Sequence, residues 1–205
     1  MNKENTYLKS YPEKSIFGFI NGNAGQIETV INTAKDQNNS EYIAIICHPH
    51  PLHGGTMHNK VVHTASKSFN EFGNSIGESD DLQSVIHWLK KYKPNTKLIL
   101  AGFSFGSFIA LSCAQNTENN CHALISIAPA VNHQDYNQYM PMDKNLPWLL
   151  IHGTKDEIID LNIVTNWIDT LSIKPEVQLF TDATHFFHGY LIDLKKTIIN
   201  FMRHS

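Results

Sequence analysis

Lys97–Ala114 reads KLILAGFSFGSFIALSCA, and this stretch decides the fold. After Lys97 the run LILAG is unbroken and apolar, as expected for a strand buried on both faces. Phe105–Ala114 is rich in small and apolar residues, contains no proline, and reads as a helix. Between the two lies Gly102-Phe103-Ser104-Phe105-Gly106, a G-x-S-x-G pattern on a strand–turn–helix junction. A serine there stands on a tight turn, with a helix N-terminus behind it that favours developing negative charge. The glycines keep Cβ atoms out of the crowded turn. Ser107 falls one turn into the helix and outside the pattern, which leaves Ser104 as the candidate nucleophile.

The same alternation extends to both sides. Tyr42–Cys47 (YIAIIC), Ala123–Ala128 (ALISIA), Trp148–His152 (WLLIH) and Val177–Phe180 (VQLF) are further buried-strand runs. Ser15–Ile20 and Gln26–Thr33 read as two strands joined by the Asn21-Gly22-Asn23 turn, a hairpin signal. Helical spacing marks Asn59–Phe72, Asp81–Tyr92 behind a Ser79 or Asp80 cap, Leu161–Leu171 and Gly189–Met202. Strands alternating with helices predict an α/β fold, doubly wound around a mostly parallel sheet, with the hairpin at one edge. A length of 205 residues suits one domain spanning 1–205.

Composition narrows the partners. A formal net charge of −3 gives no basic excess, so nucleic acid and anionic membrane are not expected partners. The polar N-terminal stretch lacks the apolar run of a signal peptide, and no run approaches the roughly 20 apolar residues of a membrane span. Three cysteines in no paired pattern fit a reducing, cytoplasmic setting. There is no G-x-G-x-x-G after a strand and no P-loop, and no cofactor is expected.

A serine hydroxyl needs a base, and the base needs an orienting acid, on loops beyond later strands. Past WLLIH comes Gly153-Thr154-Lys155-Asp156-Glu157, which makes Asp156 the candidate acid; Asp160 reads as the N-cap of the next helix. Past VQLF comes Thr181–Gly189, which offers His185, with His188 nearer the helix start. The expected relay places Ser104 Oγ within hydrogen-bond reach of His185 Nε2, and Asp156 on the other imidazole nitrogen.

Four motifs, CHPHPLHGGTMHNKVV, GFSFGSFIAL, HGTKDEIID and ATHFFHG, resemble those of the α/β-hydrolase superfamily. The resemblance is to small bacterial hydrolases related to dienelactone hydrolases and serine aminopeptidase-like esterases, and it runs from about Tyr42 to the C-terminus. It implies Ser104 as nucleophile, Asp156 as acid, His185 as base, and the Phe105 N–H as one oxyanion donor. The second donor is expected from the loop after YIAIIC, where relatives carry a His-Gly type turn. Here that loop reads His48-Pro49-His50-Pro51-Leu52, and the prolines have no N–H. The donor is therefore His50 or Leu52, with His50 favoured. Ala130–Leu146 is too short for a large cap, so a minimal cap or none is expected, with Leu52, Tyr136 and Met140 lining the substrate pocket. The implied activity is hydrolysis of a small-molecule ester, or an amide or thioester, through an acyl-enzyme.

Two readings compete. His48, His50 and His53 have the H-x-H-x-x-H spacing of metallo-β-lactamase-like zinc sites. Leu52 stands where that motif carries an aspartate, two prolines stiffen the loop, and the serine junction would have no task there. A binding protein that keeps the fold without catalysis is the other; an intact serine, acid and base argue against it.

One segment looks too short. After Phe72 the chain reads Gly73-Asn74-Ser75-Ile76-Gly77-Glu78 and enters the next helix, where relatives carry a buried strand and a long loop. Six extended residues reach about 20 Å, little for crossing a helix-covered sheet. The sequence thus reads as short of one core strand between about Phe72 and Ser75, by roughly 15–25 residues, with a chain break there.

Overall fold

Apolar runs and amphipathic segments alternate as a three-layer sandwich in a computed structural model that describes residues 7–22, 25–33, 41–49, 56–69, 73–78, 82–136 and 143–205. Its strands are β1 (Ile16–Gly22), β2 (Gly25–Asn32), β3 (Tyr42–Cys47), β4 (Gly73–Glu78), β5 (Lys97–Phe103), β6 (Cys121–Ile127), β7 (Trp148–Gly153) and β8 (Glu176–Phe180). Its helices are α1 (Lys60–Phe69), α2 (Leu82–Tyr92), α3 (Phe105–Ala114), α4 (Leu161–Thr170) and α5 (Leu191–His204). The eight strands form one sheet in the order β1-β2-β4-β3-β5-β6-β7-β8. β1 and β2 are antiparallel, β2 meets β4 antiparallel, and every pairing from β4 to β8 is parallel.

The run YIAIIC shows why the sheet is covered on both faces. Ile43, Ile45 and Cys47 point into one core with Leu98 and Leu100, against α2, α3 and α4. Ala44 and Ile46 point into the other with Ile99, Ala101 and Phe103, against α1 and α5. Strict alternation of side chains along a strand gives both faces an apolar surface only when every position is apolar. Asp160 caps α4 as expected, its Oδ1 accepting the Asn162 N–H at 2.7 Å. Among the described residues no helix is long and apolar enough to cross a membrane.

The expected gap near Gly73 is corrected here. Gly73–Glu78 is itself the internal strand, paired with β2 through Ser75–Gly77 and with β3 from Gly73↔Tyr42 to Glu78↔Cys47. About 20 Å of extended chain is too little to skirt a sheet but is a full strand within it. The chain therefore passes from α1 on one face to α2 on the other by running through the sheet. Residues 70–72, where the break was expected to begin, lie outside the described residues.

Candidate active site

β5 delivers Ser104 on a backbone that few residues adopt: φ 55°, ψ −118°. Holding a non-glycine residue there costs on the order of 1–3 kcal/mol and needs surrounding support. That support is visible. The Ser104 N–H donates to Ile127 O at 2.8 Å, tying the turn to the end of β6. The buried Ser107 hydroxyl lies 2.7 Å from Gly102 O and 3.1 Å from Ile127 O, bridging the same two strands. A Cβ on Gly106 would sit 2.1 Å from Cys47 O, and one on Gly102 would sit 2.1 Å from Gly106 O. Glycine at both positions lets α3 start against the end of β3.

The loops that carry the expected acid and base follow β7 and β8, and they are zipped together. Thr154 N–H donates to Phe180 O and Lys155 N–H to Ala183 O, both at 3.0 Å, while Asp182 N–H donates to Thr154 Oγ1 at 2.9 Å. A Cβ on Gly153 would stand 2.3 Å from Ala183 O, so the close approach requires glycine. At the head of the zipper His185 Nδ1–H donates to Asp156 Oδ2 at 2.8 Å. The other carboxylate oxygen, Oδ1, accepts the N–H groups of Ile158 and Ile159 at 2.9 and 2.8 Å. Burial opposes ionisation of Asp156, yet the hydrogen bonds from His185, Ile159 and Ile158 outweigh it and hold the carboxyl below its ordinary value. An ionised Asp156 can only accept, so Nδ1 carries the proton and Nε2 is left as the basic nitrogen.

The His185 ring is 2% exposed and packs 4.9 Å from the ring of Phe103, the residue before Ser104. Among the described residues no hydrogen bond joins the Ser104 hydroxyl to His185, so that link of the expected relay is open in this structure. Such bonds commonly tighten only around substrate.

Two supporting side chains escaped the sequence reading. Glu157 accepts the backbone N–H of His185 at 3.2 Å and so ties the loop after β8 to the loop after β7. His152 is wholly buried behind Asp156, with Nε2 3.8 Å from Oδ2. The signal for it was a titratable residue inside an otherwise apolar strand run.

The fold matches solved hydrolase structures. A solved structure from Xanthomonas campestris, described as an α/β serine hydrolase without lid, is 32% identical over 95% of this chain and 96% of that one, with a TM-score of 0.87. The chain belongs to the α/β serine hydrolases. A second solved α/β serine hydrolase homologue, from Coxiella burnetii, is also 32% identical, covers 93% and 99% of the two chains and has a TM-score of 0.84. An uncharacterized protein of Rickettsia prowazekii is 30% identical over 90% of this chain and 87% of its own. The family model described as serine aminopeptidase, S33, matches residues 78–146 of this hydrolase, a span that holds β5, the Ser104 turn and α3.

The remaining expected site residues divide. Tyr136 is corrected from pocket wall to internal brace: it is 1% exposed, its hydroxyl accepts the Ala130 N–H at 3.1 Å, and it donates to Ser104 O at 3.4 Å. Its ring is spent against Phe108 and Trp167. His48 is buried and donates Nδ1–H to Pro49 O at 2.6 Å. His50, Leu52, His53 and Met140 lie outside the described residues.

Proposed function

We propose that this hydrolase cleaves carboxylic esters of small molecules through an acyl-enzyme on Ser104. The observation that carries the reading is a serine held at φ 55° between β5 and α3, together with a buried imidazole that packs against the preceding residue, Phe103, and is bonded to a carboxylate at 2.8 Å. Ser104 Oγ attacks the ester carbonyl carbon while His185 Nε2 takes its proton. Asp156 stays ionised, holds the tautomer and stabilises the imidazolium. The Phe105 N–H, at the N-terminus of α3, faces the developing oxyanion; His50 is the preferred second donor. The proton then passes from His185 to the departing alcohol. Water, deprotonated by His185, attacks the acyl carbon, releases the acid and restores Ser104. Every atom in these steps is supplied by the three side chains, substrate and water, so no cofactor is needed.

The short β6–β7 connection supports small acyl groups, since about 0.8 kcal/mol is gained per methylene only where a tunnel buries it. The three free thiols suit a cytoplasmic enzyme. A net charge of −3 suits a small-molecule substrate better than nucleic acid or anionic membrane. The test is a series of p-nitrophenyl esters from acetate to palmitate with purified protein. The reading expects kcat/KM to peak at short or medium chains and to need no lipid interface; a steady rise to palmitate contradicts it.

The serine aminopeptidase match over 78–146 favours one second reading, amide cleavage by the same residues. Aminoacyl p-nitroanilides hydrolysed faster than p-nitrophenyl acetate would replace the ester assignment with it.

A further inference from the structure

His152 closes β7 four residues before Asp156, with its ring wholly out of solvent. Chemistry fixes its tautomer. Nε2 lies 3.0 Å from the carbonyl oxygen of Ile159, which can only accept, so Nε2 carries the proton. Burial, the largest influence, holds the imidazole pKa below its ordinary value, so the ring is neutral at neutral pH. Nδ1 is then a bare lone pair, buried with no hydrogen-bond partner among the described residues. An orphaned buried acceptor is costly, and a histidine here must contribute something an apolar residue cannot.

What it contributes is one N–H at the centre of the acid turn. Ile159 gives its own N–H to Asp156 Oδ1, and its carbonyl is the group that His152 grips. The same Nε2–H lies 3.8 Å from Asp156 Oδ2, the oxygen that receives the His185 proton donor. Two imidazole nitrogens therefore stand near one carboxylate oxygen, His185 Nδ1 at 2.8 Å and His152 Nε2 at 3.8 Å from Oδ2. We propose that His152 is a positioning residue for the catalytic acid: through Ile159 it fixes the plane of the Asp156 carboxylate, and its N–H dipole keeps negative charge on Oδ2. The role rests on the reading of Ser104, Asp156 and His185 as the catalytic set.

The experiment compares His152→Leu, which cannot donate, with His152→Gln, whose amide can place an N–H near the Nε2 position. In full-length protein His152→Leu lowers kcat on p-nitrophenyl acetate on the order of 10- to 100-fold, the scale of a misplaced catalytic group, with KM changed less than about 2-fold. His152→Gln stays within about 5-fold of the parent kcat. In an Asp156→Asn background His152→Leu costs less than about 2-fold more, because residues that act as a unit are not additive. The low-field proton resonance of the His185–Asp156 hydrogen bond persists in His152→Gln and is lost or shifted upfield in His152→Leu. Full kcat in His152→Leu, or equal losses in both backgrounds, overturns the proposal. Where His152→Leu does not fold, a folded His152→Gln protein without the low-field resonance overturns it as well. The resonance needs no turnover, so it decides the claim for His152 even where Ser104 fails to react and the hydrolytic reading itself falls.

Discussion

Asp156 and His185, 29 residues apart in the chain, meet through a 2.8 Å hydrogen bond in which neither side chain is more than 3% exposed. The bond exists because two loops at neighbouring strand ends are zipped by backbone hydrogen bonds before either side chain is counted. These loop-to-loop contacts hold His185 where its Nδ1 meets Asp156.

Asp156→Asn tests the electrostatic half of that arrangement. The amide oxygen can still take the Ile158 and Ile159 N–H groups on one side. The amide nitrogen then faces His185 Nδ1 and forces the proton to the wrong ring nitrogen. A loss in kcat on the order of 10³ to 10⁴ is expected, with little change in unfolding midpoint. A loss under about 10-fold in steady-state assays contradicts the assignment of the acid.

Stability should fall on the acid side in two stages. The unfolded chain protonates His152 near its ordinary value of about 6.5, while the fold resists it until lower pH. In that window the unfolded state binds more protons, so stability is lost as pH falls below about 6.5. Asp156 has a depressed carboxyl pKa; its contribution is present above about 4 and disappears as pH drops through the folded value. His63 and His122 are shifted down by burial as well, so the contribution of His152 is read by difference. Urea midpoints between pH 7.5 and 5.5 should decline less steeply in His152→Gln than in the parent; identical slopes contradict this account.

Much of this was legible because particular residues left few choices. KLILAGFSFGSFIALSCA states a buried strand, a strained serine and a helix start in one line, and YIAIIC is apolar at every position, so both sheet faces had to be covered. β4 was not legible. GNSIGE contains one large apolar residue and two glycines, so no pattern marked it; pairing with β2 on one edge and β3 on the other makes it a strand. Tyr136 misled for a different reason. Sequence shows an aromatic residue near the site but not that its hydroxyl is committed to Ala130 and Ser104. Glu157 and His152 bond to backbone groups, the N–H of His185 and the carbonyl of Ile159, contacts that no spacing rule encodes.

Gly106→Ala probes the packing of α3 against β3. Its new Cβ would lie 2.1 Å from Cys47 O and 2.8 Å from His48 O, both backbone atoms that cannot swing aside. We expect destabilisation of about 3 kcal/mol or more, beyond the usual range for overpacking, or no folded product. Chemical denaturation within about 1 kcal/mol of the parent would show that the turn is looser than drawn.

Tyr136→Phe separates bracing from substrate contact. Removing the hydroxyl leaves the Ala130 N–H without its acceptor and frees Ser104 O, at a cost of about 1–3 kcal/mol in stability. KM for p-nitrophenyl acetate should not move. A raised KM with unchanged unfolding midpoint would return Tyr136 to the pocket wall.

The central claim, that Ser104 is the nucleophile, is tested most directly by a fluorophosphonate probe followed by peptide mass spectrometry. The account predicts one adduct, on Ser104, formed in the parent and absent from Ser104→Ala, whose ester turnover falls on the order of 10³-fold or more. An adduct on another residue, or a Ser104→Ala enzyme that turns over ester at the parent rate, contradicts it.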